Sequence, residues 1–209
     1  MSASSREPLS RPPETLTTDR SAPQATLAHL PNALSCFRIL LVPILVAVLL
    51  TEFDGKEWVG LALFLLAALT DLLDGWVARR WGLVTRLGKL LDPAADKILT
   101  SAAFISLVEL GLAPAWVVVT IVARELTIST LRSVMAAQNV VVAASWSGKV
   151  KTVVQVVAIS LLIMNARLGV WQPLGTFALY LALVLAVYSG IEYALRYARA
   201  VMGDAAGRP

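Results

Sequence analysis

Between residues 70 and 97 the sequence reads TDLLDGWVARRWGLVTRLGKLLDPAADK, which sets four aspartates and five basic residues between two apolar runs. Asp71, Asp74, Gly75 and Ala78 follow one another at i, i+3, i+4 and i+7, a spacing that puts all four on one face of a helix. Gly88, Asp92 and Asp96 recur every four residues and do the same on the next helix. Two carboxylate pairs on successive antiparallel helices can therefore meet. An ionised aspartate at bilayer depth costs about 2.5–3.5 kcal/mol, so four cost on the order of 10 kcal/mol unless positive charge lies between them. Aspartate–arginine pairing in a structural network is one source of that charge. A hard divalent cation, which takes oxygen ligands, is the other. With one histidine, His29, and one cysteine, Cys36, the chain has no multi-histidine or thiolate site, which favours magnesium, manganese or calcium over zinc or copper. Gly75 and Gly88 on the same faces serve close helix packing or leave room for a ligand.

Helices in an apolar chain must carry these faces. Of 209 residues 57% are hydrophobic and 15% charged, with a mean hydropathy of +0.73, values outside soluble-domain averages and typical of an integral membrane protein. Charge-free runs cover 39–51, 58–70, 98–108, 110–123, 152–166 and 168–191. Only the last reaches the about 18–20 apolar residues a spanning helix needs, so the others must extend through polar residues. The expected architecture is an all-α integral membrane domain over residues 31–201. Its six transmembrane helices lie near 33–51, 58–80, 88–111, 113–136, 147–165 and 172–199. A soluble helical bundle would also explain the short runs, but it needs polar helix faces that 168–191 lacks. Residues 1–30, rich in Ser, Thr and Pro and without a signal-peptide core, read as a disordered cytoplasmic tail, and 202–209 as a short C-terminal tail.

Basic residues orient the helices. Arg38, Arg79, Arg80, Arg86, Lys89, Lys97, Arg132, Lys149, Lys151, Arg196 and Arg199 gather at one set of ends, whereas the opposite loops offer Lys56 and Arg167. The positive-inside rule then makes both termini cytoplasmic, in a multi-pass cell-membrane protein whose carboxylates face the cytoplasm. The net charge of +4 reads as topology, with no basic, aromatic-interleaved segment for nucleic acid. Asp92 precedes Pro93, so the third helix either starts at Pro93 with Asp92 as its cap or carries a distortion there.

The string Asp71-x2-Asp74-Gly75-x2-Ala78-Arg79-x8-Gly88-x3-Asp92-x3-Asp96 resembles the signature of the CDP-alcohol phosphotransferases, membrane enzymes with six transmembrane helices, and matches all eight of its defined positions. The resemblance implies that an alcohol hydroxyl attacks the phosphorus next to the lipid of a CDP-linked donor and displaces CMP. It implies that Asp71, Asp74, Asp92 and Asp96 hold two Mg2+ or Mn2+ ions and that Asp96 is also the general base. It places Gly75, Arg79 and Thr85 on the nucleotide. Two bridging cations suit phosphoryl transfer, because they neutralise both the attacking and the leaving oxygens.

The acceptor must be read from elsewhere. Arg124, Ile128 and Arg132 share one face of the fourth helix and Lys149 and Lys151 begin the fifth, together a pocket for an anion. Snorkelling to lipid phosphates accounts equally well for Arg132 and Lys149. It does not suit Arg124, which twelve residues at about 1.5 Å each separate from the cytoplasmic end. The neighbouring Glu125 points to a different face and is expected to serve a separate structural pair. PNALSCFRILLVP, AREL, STLR and SWSGKVKTVVQ resemble one branch of the family, the phosphatidylglycerophosphate synthases. That branch implies CDP-diacylglycerol as donor, sn-glycerol 3-phosphate as acceptor, and its phosphate on Arg124, Arg132, Lys149 and Lys151. It also puts Asn32, Ser35 and Arg38 near the nucleotide, although helix capping explains Asn32 and Ser35 as well. Within the family, phosphatidylinositol-phosphate and cardiolipin synthases compete. From another class, a cation transporter also uses intramembrane acids, though at mid-bilayer and often in two related halves. Ala182, Ala186 and Gly190, expected to be exposed on the sixth helix, would suit a helix–helix interface, and the family suggests a homodimer.

Overall fold

A computed structural model describes the backbone of residues 30–81, 86–137 and 146–206 and the side chains of residues 37–70, 97–135 and 148–199. The described chain is helical, without strands. Its six α-helices are α1 (Leu30–Leu50), α2 (Lys56–Trp81), α3 (Arg86–Glu109), α4 (Ala115–Ala137), α5 (Trp146–Ile163) and α6 (Gln172–Ala206). Two 3-10 turns, Asn165–Arg167 and Gly169–Trp171, join α5 to α6. Thr85 and the tail ahead of Leu30 lie outside the described residues.

The turns are set by glycines. Gly111 takes a φ of +69°, its N–H bonds the Val108 carbonyl at 2.9 Å and the Leu112 N–H bonds the Leu107 carbonyl at 2.9 Å. These two reversed bonds close α3 in a Schellman motif, and the left-handed residue between them is one that glycine adopts without a Cβ clash. Pro114 then opens α4, its carbonyl accepting from Val117 and Val118 at 3.1 and 3.3 Å. At Asp92–Pro93 the outcome is a single helix that begins at Arg86, six residues before Asp92. Asp92 is therefore interior and not a cap, and the two later aspartates keep their i, i+4 relation.

α1 packs on α2 and α3, α5 on α6 and α2, and α4 bridges α3 and α6. Leu45, Phe64, Ala67, Phe104, Leu107, Val117, Ile121, Ile159, Leu162 and Leu179 form the buried core. The exterior is also apolar: Leu40, Ile105, Val119, Val153, Phe177, Val184 and Ile191 are exposed on several helices. Among the described residues one helix, Gly169–Arg199, is long and apolar enough by itself to cross a membrane. Trp58, Trp116 and Trp171, each at least 60% exposed, stand where α2, α4 and α6 begin, all at one end of the bundle.

The small residues of α6 have a different role from the one expected of them. Ala182 and Ala186 are fully buried, and a Cβ on Gly190 would lie 3.2 Å from Arg124 Cγ. This stripe is used inside the chain, where α6 meets α4 and α5, and lends no support to a homodimer. Gly60 has a similar function in α2, since a Cβ there would sit 2.7 Å from Leu49 Cδ2 and 3.6 Å from Ile163 Cγ2. Gly60→Ala needs only a rotamer change at Leu49 and is expected to leave the melting temperature almost unchanged. Gly60→Leu overfills the α1–α2–α5 junction and is expected to destabilise the protein by about 1–3 kcal/mol, read as a lower melting temperature in detergent.

Candidate functional site

The signature aspartates lie on two neighbouring helices, Asp71 and Asp74 in α2 and Asp92 and Asp96 in α3. Both helices run unbroken through their pairs, so each pair shares a face, and α2 and α3 touch each other as well as α1. The side chains of Asp71, Asp74, Gly75, Arg79, Asp92 and Asp96, and those of Asn32 and Ser35, lie outside the described set. Arg38 of α1 is described. It is fully buried, and its Nε donates to the Ala67 carbonyl of α2 at 3.2 Å. Thr70 Oγ1 donates to the same carbonyl at 2.7 Å. A guanidinium is thus inserted one helical turn before Asp71, with its positive charge directed into the α1–α2 contact. As a donor set, four carboxylates, two on each of two contacting helices, have the oxygen-only chemistry that a hard divalent cation requires.

A second polar feature opens beside α3. A cavity of about 450 Å³ lies between α3, α4, α5 and α6, and all four bases expected to bind an acceptor phosphate, Arg124, Arg132, Lys149 and Lys151, line it. Lys97, Glu125, Ser189 and Tyr193 line it too. Among the described lining residues five cations face one carboxylate, an excess of four positive charges. The floor is buried and the rim exposed, with Glu125, Lys151 and Ser189 below and Arg132 and Lys149 at the mouth.

Arg124 is held across the floor from α4 to α6. Its Nη2 donates to Ser189 Oγ at 2.8 Å and its Nη1 to Glu125 Oε1 at 3.3 Å. Ser189 donates in turn to the Leu185 carbonyl at 2.6 Å, which orients its lone pairs toward the guanidinium. The absence of a side chain at Gly190 lets the arginine arm lie flat on α6, yet Nε is buried without a partner among the described residues. An unsatisfied buried N–H costs about 1–3 kcal/mol, and in native structures it is accounted for by strain, a water or ion, or a functional role. At the mouth the Arg132 guanidinium lies 5.7 Å from the centre of the Tyr193 ring, a cation–π contact that draws it back toward α6.

Glu125 does not point away to a separate pair as its sequence position suggests. It sits in the cavity floor, paired with Lys97 at 3.1 Å and hydrogen-bonded to Lys151. In the sequence Lys97 resembles a topology charge and Lys151 a ligand of the acceptor phosphate, and no local period reveals that they converge on one acid. The available signal is weak: Lys97 directly follows a signature aspartate, and Glu125 directly follows Arg124.

Residues 28–203 match the family model described as CDP-alcohol phosphatidyltransferase. The chain belongs to this family. A Bacillus subtilis relative named CDP-diacylglycerol--glycerol-3-phosphate 3-phosphatidyltransferase is 43% identical over 179 residues, 79% of this chain and 93% of its own length. A Salmonella choleraesuis protein of the same name is 40% identical over 171 residues, covering 79% of this chain and 92% of its own. A Mycobacterium tuberculosis protein named probable phosphatidylglycerophosphate synthase is 36% identical over 189 residues, 89% of this chain and 90% of its own. In this CDP-alcohol phosphatidyltransferase the eight signature positions lie on α2 and α3, and the basic cavity is lined from α3 by Lys97, the residue after the last of them.

If the cavity is an anion site, inorganic phosphate raises the melting temperature of the detergent-solubilised protein by mass action on the folded state, with chelator present so that no metal contributes. Arg124→Gln removes a charge-assisted hydrogen bond of about 1.5–3 kcal/mol and is expected to weaken phosphate affinity about 10- to 100-fold. A melting temperature indifferent to phosphate would remove the anion assignment.

Proposed function

We propose that this chain transfers a phosphatidyl group from CDP-diacylglycerol to sn-glycerol 3-phosphate, giving phosphatidylglycerophosphate and CMP. The observation that carries the acceptor is the cavity with four excess positive charges, whose Lys97 follows Asp96 directly in α3. A phosphomonoester dianion suits that excess, while a neutral alcohol does not. The names of the Bacillus subtilis and Salmonella choleraesuis relatives carry the same donor and acceptor.

In the reaction, Arg124, Arg132, Lys149 and Lys151 bind the acceptor phosphate and leave the distal hydroxyl directed toward α3. Asp96 takes the hydroxyl proton as the oxygen attacks the phosphorus that bears the diacylglycerol. The bond from that phosphorus to the CMP oxygen breaks, and CMP leaves with the electron pair. Gly75, Arg79 and Thr85, with Asn32, Ser35 and Arg38 on the α1 side, hold the nucleotide. Two Mg2+ or Mn2+ ions on Asp71, Asp74, Asp92 and Asp96 neutralise the diphosphate oxygens when bound.

All six helices span the membrane in this reading, with both termini and the aspartates on the cytoplasmic side. Their lengths of 18 to 35 residues correspond to at least about 27 Å, near the roughly 30 Å hydrocarbon thickness. The exposed tryptophans mark the outer interface, and Trp81 and Trp146 occupy the opposite helix ends.

Purified protein with CDP-diacylglycerol and magnesium is expected to release CMP on addition of glycerol 3-phosphate and not of inositol phosphate or phosphatidylglycerol. CMP release that is equal without any acceptor, with no phosphatidylglycerophosphate formed, would end the assignment. Asp96→Asn is expected to lower turnover about 100- to 10,000-fold, the usual worth of a general base, with metal binding largely retained. Asp71→Asn should instead raise the magnesium concentration needed for half-maximal rate.

A further inference from the structure

In the cavity floor one carboxylate meets three cations from three helices. Glu125 of α4 takes Lys97 of α3 on Oε2 at 3.1 Å, and Lys151 of α5 and Arg124 of α4 on Oε1, Arg124 at 3.3 Å. Gln155 Nε2 lies 3.4 Å from the same Oε1. Glu125 is 6% exposed and Lys151 3%. Arg132 and Lys149 at the mouth have no carboxylate partner among the described residues.

A negative charge in a pocket for a dianion weakens binding on Coulomb attraction alone. Its geometry supplies the reason for it. Three cations within reach of one another, Lys151 buried and Lys97 and Arg124 half-buried, repel, and without a shared counter-ion each long side chain would turn toward solvent. Lys97 is also the residue after Asp96. A contact that fixes Lys97 against α4 and α5 fixes the rotation of α3 about its axis, and with it the position of the base relative to the cavity.

We propose that Glu125 is a positioning residue for the acceptor: it holds Lys97, Arg124 and Lys151 in a fixed array that receives the acceptor phosphate, and through Lys97 it sets the register between that phosphate and Asp96. This rests on the glycerol 3-phosphate reading above. Glu125 touches neither substrate nor metal; it acts through the three cations.

Glu125→Gln keeps the shape and removes the charge. If positioning dominates, the KM for glycerol 3-phosphate rises by about tenfold or more, although the cavity has become more positive. The KM for CDP-diacylglycerol stays at the wild-type value, a split that a general loss of packing would not produce. Glu125→Asp, one methylene shorter with the charge kept, recovers part of the acceptor KM. An acceptor KM for Glu125→Gln that is unchanged or lower overturns the proposal. So does a parallel rise in both KM values. Should Glu125→Gln fail to fold, the double variant Glu125→Gln with Lys151→Met removes one acid and one base together. It is expected to fold and to show an acceptor KM above that of Lys151→Met alone, which loses one phosphate contact, and an acceptor KM equal to that of Lys151→Met overturns the proposal equally. If the wild type itself shows no glycerol 3-phosphate dependence of CMP release, it is the acceptor reading that fails, and the same assay separates the two.

Discussion

Charge inside an apolar helical bundle must be answered by charge of opposite sign, because burial strips away the water that would otherwise answer it. This chain gathers like charge twice, as four aspartates on α2 and α3 and as five cations around the cavity between α3 and α6. Glu125 neutralises part of the second set and Arg38 brings a cation to the border of the first. Under the proposed function what remains of each set is matched to a ligand of the other sign, divalent ions with the donor diphosphate for the aspartates and the acceptor phosphate for the cavity.

Long polar side chains reach such positions only where the backbones leave room. Arg124 crosses from α4 to α6 because position 190 has no Cβ and because Ser189, one residue earlier, offers an oriented oxygen. Ala182 and Ala186 bring α6 close along the same stretch, so the helix that forms the cavity wall is also packed tightly into the core. Above the cavity the contacts are aliphatic, from Leu179 and Ile159 to Val117 and Leu107. A rigid apolar half therefore supports a polar half whose parts come from four different helices. This matches the division of labour expected of a site that must hold its groups in place before substrate arrives.

How much of this the sequence disclosed depends on the range of the interaction. The aspartate faces were legible because a helix repeats every 3.6 residues and the four acids respect that period. The same arithmetic placed Arg124 and Arg132 on one face, and the cavity contains both. Lys97 and Glu125 were hidden, since their pairing joins helices 28 residues apart in sequence and local spacing says nothing about it. The stripe on α6 was legible as a contact but not as to which helix it contacts. Pro93 shows a local rule overridden: the residue before a proline disfavours helical angles, yet α3 continues through it. The packing of α1 on α3 offers a tertiary reason, as burial along a whole helix outweighs one lost backbone hydrogen bond.

The position of α3 limits what the acceptor can be. Consecutive residues on a helix lie about 3.8 Å apart at Cα and about 100° apart around the axis, so position 96 and position 97 belong to adjoining faces. Lys97 belongs to the cavity, and Asp96 belongs to the face shared with Asp92 one turn away. Under the proposed function, a molecule with its phosphate on the cations and its hydroxyl at Asp96 must therefore wrap a single helix face boundary. A short chain of carbons between phosphate and hydroxyl spans such a step. A bulky lipid alcohol must instead bring its own phosphate in from the membrane side, past the rim formed by Arg132 and Lys149, and its phosphodiester carries one charge where the cavity offers several. Discrimination against lipid acceptors then follows from charge and reach together, and requires no dedicated barrier in the chain.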